Sequence, residues 1–336
     1  MTSHVYDNDA LPASPLLRLP FEVRLMIYEY LLLPSTRPSS GSGTSIANLV
    51  PDFHTYYSED TNNDPFTLSV RTIDPWLGSQ GARTWRRRST YYIRTGPFLT
   101  SSTPTTYRVL LSPYTAHLRH AVPSLLALNK QIHTEATKIL YSTYKFSFHT
   151  SIEAVVPFLD DLTPVARSHI RHLGLTKKPL PYTKEFDRAE WKSLCEYIAS
   201  HHTASQTLTK TTTTDTTDAS TPSHTNDLGF QLRTLHLNII TGKPDSGWDG
   251  ITPITTSDFS TMMRMRNEWG GGSLGGVDLE WVEQLMLIRG LSGLKVKAFV
   301  EHCAKPVSEK QAFWVAFSKS VDEGAFAEWV GEVMVG

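Results

Sequence analysis

The chain has 336 residues, of which 40% are hydrophobic and 19% are charged, and its formal net charge is −1. This length suits two modest domains or one elongated domain. The near-neutral charge excludes a global basic field of the kind that attracts nucleic acid.

Cys195 and Cys303 are the only cysteines, and neither belongs to a C-x-x-C pair. We therefore expect neither a disulfide framework nor a thiolate zinc site.

The N-terminal residues lack the basic start, apolar run and cleavage site of a secretory signal, and residues 1–13 are predicted to be a disordered lead-in. The most apolar stretch, residues 16–33, is interrupted by four charged side chains: Arg18, Glu22, Arg24 and Glu29. Charges at that density are costly at the centre of a bilayer. We expect no membrane segment and a cytoplasmic or nuclear location.

The stretch PFEVRLMIYEYLLLP predicts a helix that begins near Pro20 and ends before Pro34. Apolar residues at helical spacing form two stripes, one of Val23, Ile27, Tyr30 and Leu31 and one of Phe21, Leu25, Tyr28 and Leu32. The side chains that need water are Glu22, Arg24 and Glu29. A helix that is apolar on nearly every side is expected to be buried on most of them.

Residues 35–121 are predicted to be a long insertion. It opens with the linker-like composition STRPSSGSGTS and continues with many Thr, Tyr, Ser and Pro residues. Short β-prone runs within it predict a few strands, at Thr67–Ile73, Ser89–Arg94 and Tyr107–Leu111. The insertion is thus expected to be partly disordered and to contain little helix.

Helical periodicity returns after residue 122. Pro123 opens a predicted helix that runs to residue 142, with a buried stripe of Leu125, Leu128, Ile132, Ala136, Ile139 and Leu140. Phe146 and Phe148 alternate after it as in a short strand.

Residues 149–336 contain a weak repeat in which short strands alternate with helices. The strand pattern occurs as IRHLGL, LRTLHL and LSGLKV, with predicted helices at 186–200 and 278–289 between the copies. Such alternation predicts an α/β fold with a parallel sheet of irregular, leucine-rich-like βα units, and α+β is the alternative.

The Thr-rich residues 203–226 are predicted to be a disordered loop, and the segment GGGSLGG is predicted to be a hinge. A capping box at Ser308–Gln311 predicts two C-terminal helices, through Lys319 and Val335.

Two segments together resemble the paired signature of F-box-like proteins of filamentous fungi: LRLPFEVRLMIYEYLL and LLALNKQIHTEATKILYSTYKFSF. The first carries the Leu-Pro-x-Glu opening at Leu19, Pro20 and Glu22, followed by Arg24 and the Ile27-Tyr28 pair. The second carries the family's leucine pair, Gln-Ile, Glu-Ala and Leu-Tyr steps and its aromatic strand. The resemblance covers residues 14–34 and 122–176, and many proteins with this signature have no assigned function.

The resemblance implies an F-box-like helical region, residues 14–34 and 122–148, that docks the Skp-type adaptor of a cullin-RING ubiquitin ligase. The residues expected to contact the adaptor are Leu19, Pro20, Val23, Ile27, Tyr30 and Leu31. The leucine-rich-like region would hold an unidentified protein substrate, through loops beyond its strands. On this hypothesis the protein is a non-enzymatic interaction module and needs no cofactor.

A second hypothesis assigns the same helices to the core of a stand-alone intracellular scaffold with no ligase role. It predicts that Ile27, Tyr30 and Leu31 are almost completely buried against residues 125–140. The two hypotheses therefore differ in the exposure of one helix face.

The segment TWRRRSTYYIR is the one cluster that combines basic and aromatic residues. Such a mixture can grip phosphates and stack on bases, but a strand with a solvated charged rim is the commoner cause, and we expect no nucleic-acid partner. The same run makes Ser89 a candidate phosphorylation site in a basic context.

Candidate catalytic and metal-binding groups are sparse. His169 and His172 have no third ligand at metal spacing. Cys195 falls on the apolar face of a predicted helix, where a thiol stays protonated, and the adjacent pair Asp160-Asp161 points in different directions. We expect no catalytic residue, no metal and no cofactor. An uncharacterised enzyme is the least favoured hypothesis, since it requires a concave pocket with a perturbed acid, base or thiol.

Overall fold

The computed structural model describes residues 15–35, 64–72, 107–148, 152–179, 185–211, 229–268 and 279–336. The strands within these ranges form one six-stranded sheet. Their bounds, in chain order, are β1 Thr67–Thr72, β2 Tyr107–Leu110, β3 Lys145–Ser147, β4 His172–Lys177, β5 Thr234–Pro244 and β6 Gly293–Cys303.

The α-helices of the described ranges follow the 3₁₀ turn Pro15–Arg18. They are α1 Phe21–Leu32, α2 Leu118–Leu126, α3 Lys130–Thr143, α4 Val155–Asp160, α5 Pro164–Ser168, α6 Glu185–Thr211, α7 Thr256–Glu268, α8 Glu280–Leu285, α9 Glu309–Glu323 and α10 Ala325–Met334.

The sheet is singly wound. Its order is β2-β1-β3-β4-β5-β6, with β2 antiparallel to β1 and every other neighbouring pair parallel. From β1 onward each new parallel strand adds on the same side of the last one. Because crossovers between parallel strands are right-handed, strands that advance in one direction place their connecting helices on one face. The predicted α/β fold with a parallel βα array is confirmed.

The two faces of the sheet differ sharply in chemistry. One face carries the buried strand residues of the main core: Leu68, Val70, Phe146, Leu173, Leu175, Leu235, Leu237 and Ile239. Successive side chains of a strand point to opposite faces, so the alternate positions form the other face. Those positions carry mainly Ser, Thr, Gly, His and Lys, and we call this the polar sheet face, defined by Thr67, Ser69, Lys145, Ser147, His172, Gly174, Thr176, Thr234, His236, Asn238, Lys295 and Lys297.

The core between the sheet and the helices is rich in aromatic side chains. Trp191 of α6 is fully buried and donates from Nε1 to the carbonyl oxygen of Trp281 in α8 at 2.8 Å. Phe259, Phe317 and Phe326 meet edge to face beside it, with ring centroids 5.1–6.2 Å apart. Edge-to-face pairs of this kind add to the stabilisation that comes from burial, so the C-terminal helices are part of the main core.

The described strands of the predicted insertion belong to the same sheet, and the insertion ends in the first residues of α2, which begins at Leu118. β1 pairs with β3 from Thr67↔Lys145 to Ser69↔Ser147, and β2 forms the outer edge beside β1. The predicted strands at residues 67–73 and 107–111 are present. The predicted strand at 89–94 lies outside the described residues.

The prediction of a single helix over residues 123–142 was wrong. The structure has two helices, α2 and α3, separated by residues 127–129. Asn129 adopts an extended backbone and caps α3 by accepting from the N–H of Gln131 at 2.7 Å, a local bond that competes with a continuous helix. Leu128, expected in the buried stripe, is 65% exposed at the turn.

The prediction that residues 203–226 form a disordered loop was wrong for residues 203–211. Helix α6 continues to Thr211, because extending an existing helix costs little even for residues of modest propensity. The rest of that loop and the GGGSLGG hinge lie outside the described residues.

Gly242 gives a test of the packing at the C-terminal end of β5. Its N–H donates to Ser318 Oγ of α9 at 3.0 Å, and a Cβ at this position would overlap the Trp314 indole. We expect Gly242→Ala to lower the free energy of unfolding by about 1–3 kcal/mol through overpacking.

The matched control is Gly331→Ala inside α10, where an added Cβ meets no atom and should raise stability by about 0.5–1 kcal/mol. Urea denaturation followed by circular dichroism measures both changes. Equal effects of the two substitutions would contradict the packing described here.

Candidate protein-interaction surfaces

Helix α1 turns one side toward the protein and leaves the other uncovered. Arg24, Tyr28 and Leu32, spaced four residues apart, are buried. The expectation that Arg24 needs water was wrong, because a partner elsewhere in the chain replaces the water. The expectation that α1 is buried on most sides was also wrong.

A stripe of apolar side chains runs along the outer side of α1. Its members are Leu19, Val23, Met26 and Tyr30, which are 37%, 40%, 67% and 87% exposed. Val23, Met26 and Tyr30 are spaced three and four residues apart, which places them on one face of α1, and Leu19 lies just before the helix begins. We call these four residues the outer stripe.

The six residues expected to contact an adaptor divide between the two sides. Leu19, Pro20, Val23 and Tyr30 are exposed, whereas Ile27 and Leu31 are half-buried and Leu31 packs against the core. The sequence prediction missed Met26 and Phe21, which are also exposed. The sequence does not indicate that these two side chains are exposed, because the side of α1 that faces the protein is fixed by a residue on another helix.

That anchor is Glu135 on α3. Its Oε1 accepts from Arg24 Nη2 at 2.7 Å and from Gln131 Nε2 at 2.9 Å. Its Oε2 accepts from Arg24 Nε at 3.0 Å and from the Tyr28 hydroxyl at 2.9 Å. A carboxylate offers about four acceptor positions, and here all of them are occupied.

Arg24 is held at both ends of its guanidinium. The fork formed by Nε and Nη2 is bidentate on Glu135, and Nη1 donates to the carbonyl oxygen of Leu19 at 2.7 Å. Bidentate, charge-assisted pairs fix geometry as well as energy. The pair therefore sets the rotation of α1 about its axis.

The C-terminal end of α1 has a second attachment. The buried hydroxyl of Tyr144, which follows α3, donates to the carbonyl oxygen of Leu32 at 2.6 Å. Just beyond, the N–H of Ser35 donates to the carbonyl oxygen of Tyr114 at 2.9 Å. The two segments that carry the F-box-like resemblance are thus joined in space at both ends of the helix.

These contacts shift two pKa values. The hydrogen bonds from Arg24, followed by those from Gln131 and Tyr28, lower the pKa of Glu135 to about 2. Burial and the bond to Glu135 raise the pKa of Tyr28. Glu135 is therefore ionised and Tyr28 protonated at neutral pH, as the hydrogen bonds between them require.

The polar sheet face carries basic side chains on four neighbouring strands: Lys145 on β3, His172 on β4, His236 on β5 and Lys295 on β6. His172 Nδ1 lies 2.6 Å from Thr234 Oγ1. At the β1 end, Lys145 Nζ lies 2.9 Å from Asp64 Oδ2. Lys295 is exposed, and both imidazoles are half-buried.

Both histidines of this face have lowered pKa values. For His172 the causes are burial and then the positive charges of Arg233 and Arg171. For His236 they are burial and then Lys145 and Lys295, which bring the pKa to about 4. Both rings are neutral near pH 7, so the charge of the face comes from its lysines.

The cysteine and histidine side chains considered as catalytic or metal-binding groups are each at least half-buried. Cys195 is fully buried among apolar residues, and burial raises its pKa. His169 is half-buried, and its pKa is lowered by burial. Within the described ranges no three His, Cys, Asp or Glu side chains are grouped so as to hold a metal ion. Ser89 and the basic–aromatic run 84–94 lie outside the described residues.

Comparisons of the chain with protein-family models, with curated proteins and with solved structures return no match. Among the helices that the structure describes, none combines the length and apolar character needed to cross a lipid bilayer.

The Glu135 cluster makes a prediction about pH. A carboxylate whose pKa is lower in the folded than in the unfolded chain stabilises the fold at pH values above its ordinary pKa of 4.5. This contribution is lost as the pH falls toward 2. We expect Glu135→Gln to be less stable than the wild type at neutral pH, with a difference that shrinks below pH 4.5 and closes near pH 2. Urea denaturation at a series of pH values measures it.

Glu29→Gln is the matched control, since Glu29 is an exposed carboxylate on the same helix and its substitution should leave the stability profile unchanged. A Glu135→Gln deficit that is independent of pH would show that the ionised carboxylate does not hold α1.

Proposed function

We propose that this protein is a non-enzymatic protein-interaction module, a substrate-recruiting F-box-like subunit of a cullin-RING ubiquitin ligase. Helix α1 would dock the Skp-type adaptor through the outer stripe, Leu19, Val23, Met26 and Tyr30. The observation that carries the proposal is the exposure of this stripe on a helix whose opposite side is fixed by Glu135. Such a role would place the protein in the cytoplasm or the nucleus.

The stripe has the form of a helix that fits a groove. Amphipathic helices bind apolar grooves through residues at spacings of three and four, and contiguous exposed apolar patches mark interaction sites more often than isolated residues do. Tyr30 adds a large, rigid side chain with a polar tip, a residue type enriched at binding hot spots.

The arrangement of α1, α2 and α3 also supports the proposal. The three helices pack against one another, as expected for a three-helix F-box-like unit, although some ninety residues separate the first from the second. Two residues of the family signature, Arg24 and Glu135, form the ion pair that joins α1 to α3. The long insertion is accommodated because its described strands, β1 and β2, extend the sheet.

The scaffold hypothesis expects Ile27, Tyr30 and Leu31 to be almost completely buried. Tyr30 is instead 87% exposed, and the other two are half-buried. An exposed apolar stripe has no role in a helix that serves only as core, which favours the adaptor proposal over the scaffold.

Calorimetric titration of the full chain with the Skp-type adaptor tests the proposal. We expect a micromolar or tighter Kd, weakened at least about ten-fold by Tyr30→Asp or Val23→Asp. Both side chains are exposed, so these variants should keep the wild-type circular dichroism spectrum and unfolding midpoint.

Val307→Asp is the matched control, an exposed apolar residue outside the F-box-like helices whose loss should leave the Kd unchanged. Absence of heat and of co-elution with the adaptor would contradict the proposal. An equal loss of affinity for Val307→Asp would contradict the assignment of the outer stripe.

A further inference from the structure

Strand β6 forms one edge of the sheet. It pairs with β5 on one side, and within the described ranges no strand lies on its other side. The pairing with β5 keeps an unbroken register over all 11 residues, from Gly293 to Cys303, and the isolated bridge of Val335 lies at Leu291, before β6 begins. A long and regular edge strand is a template for pairing with another chain.

Alternate residues of β6 turn their backbone groups away from β5. The N–H of Gly293 donates to the carbonyl oxygen of Arg233, next to the start of β5, at 3.1 Å. The carbonyl oxygen of Phe299 accepts from Thr241 Oγ1 on β5 at 3.4 Å. The odd-numbered residues of β6 therefore bond to β5. Because the backbone groups of successive residues in a strand point in opposite directions, the even-numbered residues from Leu294 to His302 present theirs at the edge.

The side chains of β6 are complementary to those of the same strand in antiparallel orientation. An antiparallel pair centred on Ala298 places Lys295 of one copy opposite Glu301 of the other. The same centre places Val296 opposite Val300, which is 37% exposed at the open edge and would be covered by the pairing. Opposite charges and apolar side chains in facing positions stabilise a pair of strands.

The two exposed lysines of β6 act against other registers. A centre on Lys297 would place that lysine opposite its own copy, and a centre on Val296 would place Lys295 opposite Lys297. Like charges directly opposite are destabilising, which is why lysines on an edge strand usually prevent pairing. The centre on Ala298 avoids both conflicts, since it places Lys297 opposite the ring of Phe299, an arrangement that suits a cation.

Glu301 is already positioned for the pair with Lys295. Its Oε2 accepts from Lys178 Nζ at 2.7 Å, and its side chain remains 25% exposed. A carboxylate offers about four acceptor positions, so Glu301 can accept from a lysine of a second copy while it keeps the bond to Lys178.

We propose that β6 pairs with β6 of a second copy of this chain, antiparallel and centred on Ala298, so that two sheets join into one. The axis of the dimer passes through the centre of the pair, and each contact therefore forms twice. This goes beyond the adaptor proposal and does not depend on it, because β6 and the outer stripe share no residue.

Sedimentation equilibrium of the full chain tests the proposal. We expect a monomer–dimer equilibrium with a Kd of about 100 μM or tighter. Lys295→Glu and Glu301→Lys should each weaken the dimer at least about ten-fold, because each places like charges opposite one another. An equimolar mixture of the two variants should dimerise again, since both facing positions then carry opposite charges.

Lys138→Glu is the matched control, because Lys138 is an exposed lysine on α3 and its reversal should leave the dimer unchanged. Tyr30→Asp should also leave it intact, which separates this edge from the adaptor surface. All variants should keep the wild-type circular dichroism spectrum.

Three results would overturn the proposal. The first is a chain that stays monomeric at every concentration up to about 1 mM. The second is a loss of the dimer in Lys138→Glu or Tyr30→Asp that equals the loss in Lys295→Glu. The third is a mixture of folded Lys295→Glu and Glu301→Lys that does not dimerise, or that dimerises less well than a mixture of Lys297→Glu and Glu301→Lys.

Discussion

The carboxylate of Glu135 is the constraint on which the arrangement of the helices depends. It accepts four hydrogen bonds from three residues, two of which belong to α1. Arg24 and Glu135 are 111 positions apart, so the bond closes a long loop, and the entropy of closing it is offset by a satisfied, nearly buried ion pair. Removing one partner would leave the other charge without compensation, which is costlier than losing both.

The orientation of α1 follows from this one pair. The helix has apolar residues on nearly every side, so hydrophobic burial alone gives little preference for one rotation over another. Turning Arg24 toward Glu135 also turns Tyr28 and Leu32 inward. Val23, Met26 and Tyr30 then face outward. The ion pair between Arg24 and Glu135 is therefore the reason that α1 exposes an apolar stripe.

The single direction in which the strands advance explains why the sheet has a polar face. Crossover helices gather on the apolar face, and the alternate strand positions are released from the requirement to be apolar. Small hydroxyl residues at the β1 end and larger basic ones toward β6 then give this face its shape and charge. The exposed stripe of α1 and the polar face of the sheet thus have different causes, one in a helix rotation and one in the topology of the sheet.

The strands β4, β5 and β6 could be predicted from their repeated apolar pattern, and the start of α9 from its Ser308 cap, because both signals are local. The break at Asn129 has a local signal as well, a capping side chain that was outweighed by the apolar periodicity around it. Helix α7 was not predicted, although Thr255 and Asp258 exchange capping hydrogen bonds at its start. The rotation of α1 had no local signal, since its determinant lies on α3.

Hydroxyl-radical footprinting of Met26 and Tyr28, read by mass spectrometry, tests the central claim most directly. Thioether oxidation reports exposure, and the two residues lie on opposite sides of α1. We predict that Met26 is oxidised rapidly in the free protein and protected when the Skp-type adaptor is added, while Tyr28 is unreactive in both states. A protected Met26 in the free protein, or one that stays equally reactive with the adaptor present, would contradict an outward apolar stripe that serves as the docking surface.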